Sequence, residues 1–209
     1  MTAPRRVAPT RLAPDERRRQ LLDVACVEFA DRGFHATAMD DLAMAAGVTK
    51  PVFYQHFVSK RALFVAVLED VGGRLLEVLT EATASVETER ARVEVGFAAY
   101  FGFVESDRAA FRLLFGASAR NDPEFADVVD RVLDDAAAAV STLIEIHGSQ
   151  EHRMVLAHAL VGMAEGISRH ALTDPDGPHA PDQLAAWIAE LAWFGLRGIR
   201  AEETSAARS

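Results

Sequence analysis

The chain has 209 residues, is 50% hydrophobic and 25% charged, and carries a formal net charge of −9. Those values suit an ordinary globular protein with length enough for a sizeable core, in one domain or two small ones. Cys26 is the only cysteine, which excludes an intramolecular disulfide, and no uncharged apolar run of about 18 residues is present to span a membrane. No apolar segment follows the N-terminal arginines, so no secretory signal is read and a cytoplasmic location is expected.

The charge is unevenly distributed. Residues 1–61 hold ten Lys or Arg against seven Asp or Glu, while residues 62–209 hold twelve against twenty-four. Both lysines of the protein, Lys50 and Lys60, fall in the first part. A basic head on an acidic body suggests that the head alone engages nucleic acid.

Residues 1–14 carry Pro4, Pro9 and Pro14 with Arg5, Arg6 and Arg11, a flexible basic arm in which proline excludes a regular helix. A first helix is predicted from Asp15 to Arg32, with Leu22, Ala25, Cys26 and Phe29 inward and Gly33 ending it. Cys26 reads as a small core residue. Thr37 is placed to cap a second helix, with Asp40 three residues on, and Leu42, Ala43 and Ala46 follow at helical spacing. Gly47 stops that helix, because glycine adopts positive φ without strain. Thr49 is a second N-cap candidate, and Pro51 suits a first turn whose N–H groups lack intrahelical partners. Phe53 and Phe57 share one face of the third helix, and Ser59 caps a fourth. Helix, glycine turn, helix is the helix-turn-helix arrangement, whose second helix enters the DNA major groove. Phe53 and Phe57 can hold that helix on its scaffold, while Lys50, Tyr54, Gln55, His56 and Lys60 can meet phosphates and base edges.

The run T-x-M-x-D-L-A-x-x-A-G-V-T-K-x-x-x-Y-x-H-F-x-S-K-x-x-L-F, from Thr37 to Phe64, resembles the DNA-binding domain of TetR-family transcriptional regulators. The resemblance extends upstream through Leu21–Ala25 and Phe29–Phe34. Pro51 is a departure, standing where the family often has glycine or alanine. The resemblance implies an all-α fold: an N-terminal three-helix helix-turn-helix domain, here residues 15–61, and a helical-bundle ligand-binding and dimerisation domain, residues 62–200, before a polar tail at 201–209. It implies DNA contacts from Thr37, Thr49, Lys50, Val52, Tyr54, Gln55, His56 and Lys60. Lys50, Tyr54 and His56 would sit on phosphates, and Val52 and Gln55 nearer base edges.

The fourth helix is expected to run on to about Ala84, with Leu63, Val67, Val71, Leu75 and Leu79 recurring at fours. It would connect head to body. Gly72-Gly73 inside it marks either a close helix crossing or a soft point. A helix from about Glu89 to Glu105 places Phe97, Tyr100, Phe101 and Val104 in one stripe, and a short helix carries Phe111, Leu114 and Phe115. Gly116 to Pro123 reads as a loop, followed by a long helix to His147. Singly these aromatics read as core. As a set, the resemblance implies a small-molecule cavity lined by Phe97, Tyr100, Phe101, Phe111, Arg112, Phe115 and Met163, with Tyr100 and Arg112 as polar anchors. A mostly apolar lining suits a hydrophobic effector.

Helices over about Gln150–Leu172 and Pro181–Arg200 are apolar nearly all round, which asks for burial all round. A central place in the monomer core would satisfy that. The resemblance implies instead a four-helix homodimer interface through Val155, Ala159, Gly162, Gly166, Trp187, Leu191, Gly195 and Gly198. The seven histidines include no i, i+4 pair, and there is neither a phosphate-binding glycine loop nor a G-x-S-x-G turn. No metal, cofactor or catalytic residue is therefore read, and an enzyme is not expected. The expected function is a repressor that binds a pseudo-palindromic operator as a dimer and is released by an apolar or amphipathic effector. A DNA-binding or architectural protein without an effector is the alternative, and a helical enzyme or interaction domain the third.

Overall fold

The computed structural model describes residues 13–146, 148–173 and 180–206, with the side chains of 171–173 and 197–206 left aside. Ten helices and no strand occur among the described residues: α1 (Pro14–Ala36), α2 (Met39–Ala45), α3 (Lys50–His56), α4 (Lys60–Ala84), α5 (Glu89–Ser106), α6 (Arg108–Phe115), α7 (Ala117–Arg120), α8 (Pro123–Leu143), α9 (Gln150–Thr173) and α10 (Pro181–Ala206). They form two compact units that divide inside α4, after Val67, where the sequence placed the division after Arg61. The basic arm lies almost wholly outside the described residues.

In the first unit, α1 starts at Pro14, and the Glu16 carboxylate accepts from Ala13 N–H at 3.0 Å, satisfying a donor the helix itself cannot. Gly33 breaks the helical path with φ +78°, and one further turn reaches Ala36. The inward face buries Leu21, Leu22, Ala25, Cys26 and Phe29. Phe29, Phe34 and Phe64 pack as a trio, with Phe64 5.0 Å from Phe29 and 5.1 Å from Phe34, both edge-on. Edge-on rings set the positive rim of one on the negative face of the other.

α2 ends as its glycine requires. Gly47 has φ +63°, Val48 N–H donates to Ala43 O at 3.0 Å, and Gly47 N–H to Met44 O at 3.1 Å. That pair of bonds is the Schellman closure of a helix C-terminus. Phe53 and Phe57 are buried beneath α3. Ser59 accepts from Ala62 N–H at 3.0 Å at the start of α4, the cap its sequence position predicts.

In the second unit α5 packs against α10, and α8 against α9. Gly72 resolves to a close crossing: a Cβ there would run into the methyls of Val132 in α8, while Gly73 is exposed and meets nothing. α4 continues through both. Three boundaries differ from expectation. Residues 117–120, read as loop, form α7. α8 ends at Leu143, with Ile144 extended at ψ 110° and buried; His147 lies outside the described residues. α10 continues past Arg200 to Ala206, taking in most of the stretch read as a polar tail.

Candidate functional site

α3 is a short helix with one buried side. Winding about 100° per residue, it directs Phe53 and Phe57 into the core, leaving Pro51 and Gln55 near the middle of the opposite face. Val52 and His56 flank that face on one side, both half-buried, and Lys50 and Tyr54 on the other. Tyr54 and Gln55 are exposed. Thr49 occupies the N-cap position with φ −91° and ψ 152°, but its side chain makes no cap bond, so its hydroxyl is available outward. Pro51 sits in the first turn, where a missing N–H costs nothing. Lys50 Nζ lies 3.1 Å from Asp40 Oδ2. Both groups are open to solvent, where such a pair is worth little and is readily given up to a phosphate.

Two members of the expected DNA-contact set belong to the scaffold instead. Thr37 is 1% exposed. Its hydroxyl does not cap α2; it donates to Gly33 O at 2.8 Å, closing the end of α1. The N-cap position of α2 is Ala38, whose N–H is taken by Asp41 Oδ2 at 3.2 Å. Thr37 therefore presents no side chain to DNA. Lys60 Nζ donates to Phe34 O at 2.8 Å and Thr37 O at 2.9 Å, and lies 4.5 Å from the Phe34 ring centroid. It supplies a donor to carbonyls at the end of α1. Sequence spacing does not reveal the role of Lys60, whose partners lie 26 and 23 residues away, and the Thr37 bond to Gly33, four residues back, competes with the cap its position suggests. Arg18, which no motif or spacing singles out, stacks 5.2 Å over Phe57.

The second unit contains a cavity of about 210 Å³, lined mainly by apolar groups including Leu79, Val93, Leu160, Val161 and Trp193. Gly96 and Ala139 leave room there because they carry little side chain. At its rim Arg92 Nη1 meets Glu145 Oε1 at 2.9 Å, and Arg92 Nε donates to Val86 O at 3.1 Å. Of the seven expected ligand residues, this cavity takes in Phe97 alone. Tyr100, Phe101, Phe111 and Phe115 are buried, Met163 is half-buried and Arg112 is exposed. The aromatics occupy space by packing on one another, Phe111 on Phe115 at 4.6 Å and Tyr100 on Phe101 at 5.4 Å. Arg112 points away because Phe111, Leu113, Leu114 and Phe115 claim the buried side of α6. Burial pushes the Tyr100 phenol well above its ordinary pKa; the Ser168 hydroxyl pulls it partly back, and the Glu165 charge raises it further.

On α9 and α10, Val155 is 62% exposed, Leu191 61%, and Trp187 and Phe194 are also open. Ala159, Gly162 and Gly195 are exposed and Gly166 is half-buried. A Cβ added at Gly162, Gly166 or Gly195 would touch nothing within 4 Å. Gly198 falls where side-chain surroundings are not described. Among the described residues no helix is long and apolar enough to cross a membrane.

Comparison with known proteins matches residues 21–67 to "Bacterial regulatory proteins, tetR family" and residues 89–195 to "Tetracyclin repressor-like, C-terminal domain". The HTH-type transcriptional activator FasR of Mycolicibacterium smegmatis is 37% identical over 191 residues, covering 90% of this chain and 87% of that protein. A TetR-like transcriptional regulator from Rhodococcus sp. RHA1 superposes with a TM-score of 0.72 at 30% identity, over 90% of this chain and 100% of that one. FadR of Bacillus subtilis, solved in complex with stearoyl-CoA, shares the fold at 14% identity and a TM-score of 0.73, over 83% of this chain and 96% of that one. With its helix-turn-helix and its helical body both matched, the chain belongs to the TetR family of transcriptional regulators.

Proposed function

We propose that the protein binds a pseudo-palindromic DNA operator as a homodimer and represses transcription until an apolar or amphipathic small molecule releases it. The observation that carries this reading is the division of α3 into a buried Phe53/Phe57 side and an open side bearing Lys50, Pro51, Tyr54 and Gln55. Gln55 is the base-reading side chain, since Gln pairs two ways with an adenine edge in the major groove. Val52 also lies toward the base edges, and Thr49, Lys50, Tyr54 and His56 position the helix on phosphates.

Dimerisation through α9 and α10 is supported by the open apolar side chains Val155, Trp187, Leu191 and Phe194, since monomers rarely leave such patches bare. Ala159, Gly162, Gly166, Gly195 and Gly198 let a partner's helices come close. Two-fold symmetry in the protein then asks for two related half-sites in the DNA.

The cavity supports an effector whose contact surface is mostly apolar, entering past Arg92 and Glu145 and touching Phe97. Tyr100, Phe101, Phe111, Phe115 and Met163 are not among the cavity's lining residues. The stearoyl-CoA bound to FadR, a protein of the same fold, makes long apolar chains the first class to try. A second reading, activation in place of repression, is favoured by the similarity to FasR, a transcriptional activator. Selection of duplexes from a random library, followed by a reporter carrying the selected site, tests both. A palindromic consensus with reporter expression falling on protein addition supports repression; expression rising supports activation; recovery of no consensus contradicts the operator reading.

A further inference from the structure

The first unit spends most of its cations on its own groups. Arg17 Nη1 donates to the Gln20 side-chain oxygen. Arg32 pairs with Glu28 at 3.4 Å and Asp41 at 3.5 Å, and Lys50 with Asp40 at 3.1 Å. Lys60 is held by two carbonyls, and Arg19 and Arg61 are engaged as well. Arg18 differs. It is exposed, and its guanidinium makes neither a hydrogen bond nor an ion pair with another described residue. What holds it is the ring of Phe57, whose centroid lies 5.2 Å from the guanidinium carbon.

Stacking uses the face of a guanidinium and leaves its edge free. Five N–H donors lie in that plane in a fixed fork, which matches two oxygens of one phosphate. A side chain already held by a ring also has less rotamer freedom to lose on binding. Covering Phe57 asks only for the aliphatic stem. It does not ask for a charge, and the carboxylates of the preceding turn do not meet that charge. Glu16 accepts from Ala13 N–H instead, and no ion pair joins Asp15 to Arg18.

The platform is fixed and well placed. Phe57 is 4% exposed and is the C-cap of α3, its N–H closing on Phe53 O at 2.8 Å. The His56 ring lies 6.3 Å from the same ring, centroid to centroid. Arg18 therefore stands at the C-terminal end of α3, and Lys50 at the other end, about 10 Å away along the axis of a seven-residue helix. A helix C-terminus presents unpaired carbonyls and a partial negative charge, which repel phosphate. A guanidinium held there reverses the sign.

We propose that Arg18 is a DNA-backbone contact, reaching from α1 to take one phosphate of the operator beside the C-terminal end of α3. The inference rests on the operator reading given above and adds to it a residue outside the helix-turn-helix. With Lys50 at the opposite end, Arg18 fixes where α3 sits along the groove. Its ligand is a phosphodiester and not a base, so it sets affinity and register, not sequence preference.

The test uses the full chain and the duplex recovered by selection. Arg18→Met keeps a stem over Phe57 and removes the charge; Arg18→Lys keeps the charge and loses the fork. Arg18→Met should bind every duplex about 10-fold more weakly. Its slope of log affinity against log salt should fall by about one per protomer, with single-base preferences unchanged. Arg18→Lys should restore the slope and only part of the affinity. Urea unfolding reports any loss of packing on Phe57, and packing alone does not move the salt slope. A scan of single uncharged methylphosphonate linkages then locates the contact: at one linkage wild type should lose about 10-fold and Arg18→Met nothing further. A salt slope equal to wild type in Arg18→Met, with or without lost stability, overturns the proposal and leaves Arg18 a cover for Phe57. A changed base preference overturns it too. In both cases the operator reading stands; if wild type selects no duplex, both fail.

Discussion

The ammonium of Lys60 lies 2.8 Å from the carbonyl oxygen of Phe34 and 4.5 Å from the centroid of the same residue's ring. A cation is thus held by the backbone and the aromatic face of one residue, and by Thr37 O at 2.9 Å. It ties the start of α4 to the end of α1. Lys60→Met keeps the aliphatic stem and removes the charge and the donor that both carbonyls share. Urea denaturation should show a loss of about 1–3 kcal/mol. Where the variant is still folded, the slope of log affinity against log salt should match wild type, because no phosphate contact is lost. A slope reduced by about one, with stability unchanged, would return Lys60 to the DNA surface.

Lys50 and Gln55 occupy different parts of the open face of α3 and should fail differently. Lys50→Ala should weaken binding to every duplex and flatten the salt dependence by about one. Gln55→Ala should cost about 1–3 kcal/mol at one base pair and leave the others unchanged. Asp40→Asn frees Lys50 from its pair and should raise affinity at low salt, with the gain fading as salt rises. Binding to a panel of single-base operator variants checks the three together. A change of base preference in Lys50→Ala, with none in Gln55→Ala, would reverse these roles.

How far the sequence was legible depended on how local each cause was. The glycine turn at Gly47 and the buried pair Phe53 and Phe57 were readable, because bonds and spacings within a few residues decide them. Thr37 was misread because a Thr before a helix is a common N-cap, whereas its hydroxyl bonds back to Gly33 and its carbonyl serves Lys60, twenty-three residues on. The stripe Phe97, Tyr100, Phe101 announced burial, and burial is what it has. It could not announce where space would remain, since that depends on residues such as Gly96 and Ala139 lining one cavity from distant segments. Arg112 looked like an anchor only while the orientation of α6 was open.

Gly72 is a packing requirement of α4 against α8. Gly72→Ala should overlap Val132 and destabilise the fold by about 1–3 kcal/mol. The double variant Gly72→Ala, Val132→Ala should recover much of the loss, since the obstructing methyls are gone. Thermal or urea unfolding of the four proteins of this cycle measures the coupling. An unchanged stability in Gly72→Ala alone would restore the soft-point reading.

The open apolar face of α9 and α10 should be closed by a second copy. Leu191→Glu replaces a side chain that is 61% exposed in the single chain, so the monomer fold should survive by circular dichroism while the dimer is lost. Sedimentation should give a dimer for wild type and a monomer for Leu191→Glu at micromolar concentration, with operator affinity falling accordingly. A wild-type protein that sediments as a monomer would contradict the interface.

The most direct test of the ligand-responsive regulator is operator affinity at fixed salt, with and without a saturating apolar effector such as octadecanoic acid. A ligand shifts DNA binding only through unequal affinity for the DNA-competent and DNA-incompetent states. The expected affinity change is about 5–150-fold, a coupling of 1–3 kcal/mol. An effector that occupies the cavity and leaves operator affinity unchanged would contradict it.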